Sequence, residues 1–586
     1  MKLRNVLAAF LAAVMTISLC ACSTSVETSS EPSSNSEMST ESELQSDSEP
    51  HSESSSESIP ESLPESSESS KPESTSVEEP PEQSGDSEMS TDSEPHSESE
   101  PSSGSEPHSE SSSESISESL PESSKPESSK PESSKPESVP VDKPIEQPEA
   151  NPALGYHAEK ADSLKKLYAE ISAQKDFPAI NITTYMSEPI LSKNRYLDAV
   201  IDVFNCGESF ELSAVGGVKV RGNSTASQGD ELPYRIKFDK KQNMLGLHNG
   251  REYKSWVLLR SFWNLAPDYM GLNLARAIFD GKYYSSDCAY VNLYVNGQSR
   301  GVYLLCEQNQ AAKGRVDVAE PTGEESPLEI GYLLEMDNYP DEKEHPFFAI
   351  KHNKREFTDI LGQSRGFATK CYSIRSDTTT QEQRKFIERY LNGVFTILFE
   401  AAEGKPMMLD ENFRAVSAVG VYATPREAVE AVIDTRSLAN MLILEELVQD
   451  YDVGEGSFYM AVDFSENSIY PRLTFLAPWD FNWGYTEEPS SGFYACAFQE
   501  PIMESDRSNV WFITAMKQEW FADIVKEKWR DLSESGAIID TVLAVREHTA
   551  LLANDLGEDA WKVDQAANIC EYVSKRVKFL NKEWLD

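Results

Sequence analysis

Cysteine and histidine are scarce, with eight of each in 586 residues. Beyond residue 150 the cysteines are Cys206, Cys288, Cys306, Cys371, Cys496 and Cys570. They are scattered, with no C-x-x-C or H-x-x-x-H pairing, which excludes a zinc site of the usual spacing. Sequence alone assigns no disulfides among them. Positive charge is also short: 53 Lys and Arg stand against 99 Asp and Glu, a formal charge of −46. A chain this acidic does not bind nucleic acid through its phosphates. Long apolar runs are missing as well. Apart from Val6–Leu19, no run approaches the roughly 18 residues that a membrane helix needs.

That one run follows Lys2 and Arg4, and it is too short and wrongly flanked for a permanent span. Residues 1–21 therefore read as a secretory signal. Leu19-Cys20-Ala21-Cys22 has the form of a bacterial lipobox. Cleavage before Cys22 and a lipid on its sulfur are expected, which anchors the protein outside the cytoplasm on the cell membrane. Ordinary cleavage after Ala21 would instead leave Cys22 a plain thiol. From 22 to 150 the chain is Ser, Glu and Pro with recurring pieces such as "SEPHSES" and "PESSK". Roughly −28 of the formal −46 lies here. Such a segment has too little apolar surface to pack and is expected to be an extended, disordered spacer.

Residues 151–586 are rich in aromatics and aliphatics and hold no second low-complexity linker, so they read as one large domain. A helix is expected over 159–174, where Leu164, Leu167, Tyr168 and Ile171 recur at helical spacing. Strand-like runs follow: Ala179–Thr184, Leu197–Phe204, Gly217–Val220, Tyr234–Phe238, Ser255–Leu259, Ala289–Val295 and Gly301–Cys306. Asn296-Gly297 marks a hairpin between the last two. A helix over about 269–279 interrupts the series. After about 380 helical periodicity takes over, and Asp434 is a good N-cap for the apolar run behind it. The expectation is an α+β fold of two lobes, strand-rich over about 175–375 and helical over about 380–586, with a ligand cleft between them.

Three stretches carry candidate chemistry. "GGVKVRGNSTAS" ends a strand in Arg221, Gly222, Asn223, Ser224 and Thr225. Such a run suits a β-turn, or a loop whose N–H and hydroxyl groups hold an anion. "PYRIKFDKK" alternates, so Arg235, Lys237 and Asp239 share one face. Lys237 could return beside that turn as a point charge for a phosphate, with Arg235 and Lys240 as competitors. "VQDYDVGEGSFYMAVDF" and "RLTFLAPWDFNWGY" read as a loop after a helix and then a hairpin, with Asp452 in the loop and Asp480 at the hairpin's end. Each aspartate could be an ordinary turn residue, or the two could share a cleft and ligate Mg²⁺.

The stretches "RGNST", "PYRIKFDKKQNMLGL", "KSWVLL", "YVNLYVNGQSRGVYLLCEQ", "GYLLEMDNY", "LANMLILEELVQDYD" and "APWDFNWG" run in one order from about 215 to 485. In that order the domain resembles the spore-coat CotH kinase family, secreted atypical kinases with a distant protein-kinase-like fold. The resemblance implies transfer of the ATP γ-phosphate, with Mg²⁺ or Mn²⁺, to Ser/Thr hydroxyls of proteins. It implies Asp452 as the catalytic aspartate, Asp480 with Asn482 at the metal, and Lys237 on the phosphates with Arg221, Asn223 and Ser224 lining them. Glu307 and Glu335 fall in matching stretches without a firm role. Two positions depart from the pattern: Asn482 where the family often has Asp, and Ser457 where kinases place a metal-binding Asn. G-x-G-x-x-G and H-R-D are absent. A non-catalytic surface binding or scaffold protein is the alternative, and a carbohydrate-associated domain built on the aromatic run Phe481–Tyr485 is a weaker one. The Ser-rich tail, tethered close by, is a candidate substrate of the domain itself.

Overall fold

The computed structural model describes residues 151–586, except 223, 228–231, 261–263, 353–354 and 502–505 and the side chains of Ser224 and Ser227. The signal, Cys22, the acidic tail, Asn223 and the Ser224 hydroxyl lie outside the described residues.

Two short helices lead in, α1 (Pro152–Glu159) and α2 (Ala161–Ser172). The Asn151 side chain caps α1 by accepting from the Ala153 N–H, with Pro152 as its first residue. Seven strands then close into a barrel: β1 (Ala179–Thr184), β2 (Leu197–Phe204), β3 (Leu212–Val220), β4 (Tyr234–Gln242), β5 (Tyr253–Leu259), β6 (Cys288–Val295) and β7 (Gln298–Glu307). Their order is β1-β2-β3-β4-β5-β7-β6, and β6 runs parallel to β1 to complete the ring. Alternation explains the interior. Val218, Tyr234, Ile236, Phe238, Trp256, Val291 and Tyr303 pack inside, while their strand neighbours Lys219, Arg235 and Lys237 point outward. The β6–β7 turn has Asn296 and Gly297 at φ 52° and 79°, the geometry that Asn-Gly supplies.

Helix α3 (Ala266–Phe279) joins β5 to β6. Then come β8 (Gly331–Met336), β9 (Phe347–Lys351), the small ribbon β10 (Phe357–Thr358) and β11 (Ser364–Arg365), and β12 (Thr369–Ile374). Helix α4 (Gln381–Ala402) opens with a capping box between Thr380 and Gln383. A ribbon of β13 (Met407–Leu409) and β14 (Ala415–Ser417), α5 (Pro425–Glu430) and α6 (Thr435–Val448) follow, α6 capped by Asp434 as expected. The hairpin of β15 (Phe458–Asp463) and β16 (Thr474–Phe475) is followed by the longer helices α7 (Val510–Met516), α8 (Glu519–Ser535), α9 (Ala537–Ala550) and α10 (Lys562–Leu585), with a single helical turn, Ala553–Leu556, before the last.

The second sheet departs from the expected division near residue 380. Its order is β16-β15-β8-β12-β9, antiparallel throughout. Strands from 331–374 therefore share a sheet with strands from 458–475, because β8 finds its partner in β15 more than a hundred residues on. This sheet and the helices form a core separate from the barrel interior. At its centre is α6, buried at every position but Arg436. Burial on all sides forces its acids to find partners. Glu446 accepts from the Tyr494 and Cys496 N–H groups at 2.9 and 3.0 Å and pairs with the fully buried Arg576 at 2.5 Å. That pair ties α10 to α6.

Candidate functional site

The end of α6 builds the first half of the site. Gln449 takes a left-handed conformation, and its N–H closes the helix on the Glu445 carbonyl at 2.8 Å. The chain then coils tightly. The Asp450 carboxylate accepts the Asp452 N–H at 3.0 Å, and the Asp452 carbonyl accepts the N–H groups of Glu455 and Gly456. Gly454 is required here, since a Cβ would lie 1.8 Å from the Arg507 carbonyl oxygen. Asn509 fixes the same contact by donating to the Val453 carbonyl at 2.9 Å. Against this loop Arg507 pairs with the Asp452 carboxylate, reaches Glu455 at 3.4 Å, and lies 4.1 Å over the Tyr451 ring.

The second half follows β16. Expected at a strand end, Asp480 instead lies five residues beyond this two-residue strand, in a left-handed conformation (φ 71°) that opens a single 3₁₀ turn over Phe481–Trp483. Phe481 anchors the turn. Its ring presses on Gly271 of α3, where a Cβ would lie 2.2 Å away, and its N–H donates to Asp268 Oδ1 at 3.0 Å. The Asp480 carboxylate is thus held out toward the Asp452 loop. Ser457 Oγ donates to its Oδ2 at 3.2 Å, and the Asn482 amide nitrogen donates to its Oδ1. Gln449, Ser457, Asp480 and Tyr485 all have positive φ without being glycine. Each such residue costs on the order of 1–3 kcal/mol, and such residues concentrate at functional sites.

Charge accumulates around these loops. Burial pushes the Asp452 carboxyl up, Arg507 opposes this, and the Asp480 charge adds to it. Asp268 is raised to about 7, chiefly by burial and then by Asp480, against the Phe481 N–H and Arg221. Glu445 is raised to about 8 by burial and by neighbouring Glu446. Asp450 is raised by burial and by Glu445. Opposite stands Arg221, its guanidinium 5.7 Å over the ring of Trp479, next to Asp480. Among the described residues no group of three or more His, Cys, Asp or Glu is arranged to hold a metal by itself. Asp452 and Asp480 are hard oxygen donors, the type that shares Mg²⁺ with phosphate oxygens, one or two carboxylates at a time.

The family model for CotH kinase protein matches residues 218–581, more than half of the chain. The chain belongs to the CotH kinase family. No curated protein matches it. In this CotH chain the expected residues fall into two groups. Asp452, Asp480, Asn482 and Arg221 come together through the contacts above, across sequence separations of up to 261 residues. Lys237 stands apart. It is exposed on the outer barrel face, opposite Gly217 and Ser255, and its charge is felt at Lys219. Its competitor Arg235 is the one placed toward Arg221. Glu307 is fully buried in a structural network, bound by Arg315 at 3.1 Å, His248 at 2.7 Å and the Asp287 N–H at 3.0 Å. Glu335 pairs with Arg375 beside Asp337. The aromatic run is not an exposed platform: Phe481 is fully buried and Tyr485 packs edge-on to Tyr572, leaving Trp483 at 43% exposure. Sequence reading missed Arg507 and Asp268. A motif scan offers no signal for either, since one arrives from 55 residues away and the other lies in an apolar helix turn.

Proposed function

We propose that this CotH-family protein is an ATP- and divalent-metal-dependent kinase that transfers the γ-phosphate to Ser or Thr hydroxyls of proteins. The observation that carries the reading is the approach of Asp452 and Asp480, from the loop after a buried helix and from a hairpin exit, with Arg221 over the neighbouring Trp479. In this reading the barrel and the sheet-and-helix core are the two lobes of a protein-kinase-like fold. Asp480, with Asn482 and Ser457, would hold the metal. When bound, the metal would neutralise phosphate oxygens. Asp452 accepts the hydrogen bond of the incoming hydroxyl and fixes its direction of attack. Arg507 opposes the rise that burial imposes on the Asp452 carboxyl. Arg221 supplies positive charge on the phosphate side. Cys22 would carry the lipid that keeps the protein on the outer face of the cell membrane, with the acidic tail as tether and as a substrate within reach.

The test is ³²P transfer from ATP by wild type, Asp452→Asn and Asp480→Asn, with folding checked by circular dichroism. Loss of transfer in both folded variants is expected, by at least 100-fold. Undiminished transfer in either one refutes the assignment. A second reading, nucleotide binding without transfer, is favoured by the Arg507 pairing that occupies Asp452 and by the amide at position 482. ATP-dependent thermal stabilisation of wild type with no transfer to any protein would select it.

A further inference from the structure

The outer face of β3 and β4 carries the cations Lys219, Arg235 and Lys237, with Arg221 just past the end of β3. Lys219 lies opposite Arg235, Val220 lies opposite Tyr234, and the Arg221 N–H donates to the Pro233 carbonyl at 3.0 Å. Because Tyr234 and Val220 point into the barrel, Arg221 and Arg235 share its outer surface near one end. Arg235 is largely covered, and its Nε is buried with no hydrogen-bond partner among the described residues. No ion pair to it is found among those residues either. Burial disfavours its charge, Tyr196 and Glu344 ease this in part, and Arg221 and Arg375 add repulsion. Arg375 differs from the other two, because it is locked by Glu335 and by Asp337 at 3.0 Å. Arg221 meets the face of Trp479 and acts on the buried Asp268 carboxyl.

Two neighbouring guanidinium groups, one largely covered and with its Nε unpartnered among the described residues, are costly in a protein alone. The cost is recovered when an anion enters. The planar fork of arginine suits phosphate oxygens taken two at a time. We infer that Arg221 and Arg235 form a two-arginine clamp for the polyphosphate of a nucleotide, with Arg375 held by Glu335 and Asp337 as a positioning residue. The inference rests on the kinase reading and assigns to Arg235 the phosphate role that sequence gave to Lys237. Trp479 links the clamp to Asp480, so phosphates on the arginines face the metal-side carboxylate.

Calorimetric titration of the full chain tests this, with inorganic tripolyphosphate, ATP and adenosine, each without divalent metal. Wild type should bind tripolyphosphate despite the chain's net negative charge, ATP more tightly, and adenosine far more weakly. Arg235→Met should weaken tripolyphosphate and ATP by about 10–100-fold, and Arg235→Lys should recover part of the loss. The ligand-free melting temperature of Arg235→Met should equal or exceed that of wild type, since a largely covered charge with a partnerless Nε has gone. Wild-type affinity for tripolyphosphate in Arg235→Met overturns the clamp, as does a lower ligand-free melting temperature with binding unchanged. Equal affinity of wild type for ATP and tripolyphosphate overturns the nucleotide assignment. The two readings fail separately. Transfer abolished in Asp452→Asn with normal anion binding in Arg235→Met sinks only the clamp. Transfer that survives in Asp452→Asn and Asp480→Asn sinks the kinase reading, whatever Arg235 binds.

Discussion

Asp268 offers the sharpest physical test of the site, because its cost can be worked out. It sits in the first turn of α3, buried, and receives the Phe481 N–H at 3.0 Å. Its carboxyl rises from 3.8 to about 7 on folding, through burial first and the Asp480 charge second. A raised carboxyl favours the protonated form in the folded state. The stability it contributes is therefore complete below about 3.8 and drains away as the pH climbs through about 7. At about 1.4 kcal/mol per tenfold change in protonation, integration from pH 5 to pH 8 gives a loss on the order of 2–3 kcal/mol. Asp268→Asn keeps an oxygen for the Phe481 N–H and removes the ionisation. Metal-free urea unfolding at both pH values should show wild type losing about 2–3 kcal/mol more than the variant across that window. The variant should be close to wild type at pH 5 and clearly more stable at pH 8. A stability difference that is the same at both pH values would refute the claim that Asp268 carries a buried, Asp480-coupled charge.

Two further outcomes follow from neighbours of the same loops. Arg507→Ala removes the cation that opposes the rise of the Asp452 carboxyl. The acid limb of the kcat/KM–pH profile should move to higher pH, and an unmoved limb would show that Asp452 does not need to be ionised. Gly271→Ala drives a methyl into the Phe481 ring. It should cost about 1–3 kcal/mol in urea unfolding and raise the KM for metal-ATP by displacing Asp480, so an unchanged KM in a destabilised variant would mean the 3₁₀ turn yields without moving the carboxylate.

Local patterns were legible wherever a few adjacent residues decide the structure. Alternation at Tyr234, Ile236 and Phe238 marked a barrel strand, Asn296-Gly297 its hairpin, and Asp434 the start of α6. The loop holding Asp452 followed from the end of that helix. What sequence could not supply was position along an element. Period 2 gives Arg235 and Lys237 the same face, yet two residues separate them by about 6–7 Å along the strand. That distance decides which one neighbours Arg221. Long-range pairing was equally hidden. Nothing near β8 announces β15 as its partner, so a division at 380 looked natural. Arg507 carries no motif, and its meaning comes only from the packing of its own backbone against Gly454.

The two departures from the kinase pattern take on a physical sense in this arrangement. Ser457 and Asn482 both donate hydrogen bonds to the oxygens of Asp480. An aspartate at 482 would instead place a second carboxylate against the first. That carboxylate would stand in a region where burial first, and the Asp480 charge in addition, already lift both Asp268 and Asp452. Such a site holds its shape only when a cation fills it. With the amide, the Asp480 carboxylate is oriented before any cation arrives, at the cost of one charge for gripping it. In the proposed kinase, the missing charge would come from the phosphates, which the barrel arginines would hold. On that proposal the amide at 482 and the partnerless Nε of Arg235 are two sides of one balance: the protein alone would hold a metal weakly, and a polyphosphate would restore the grip.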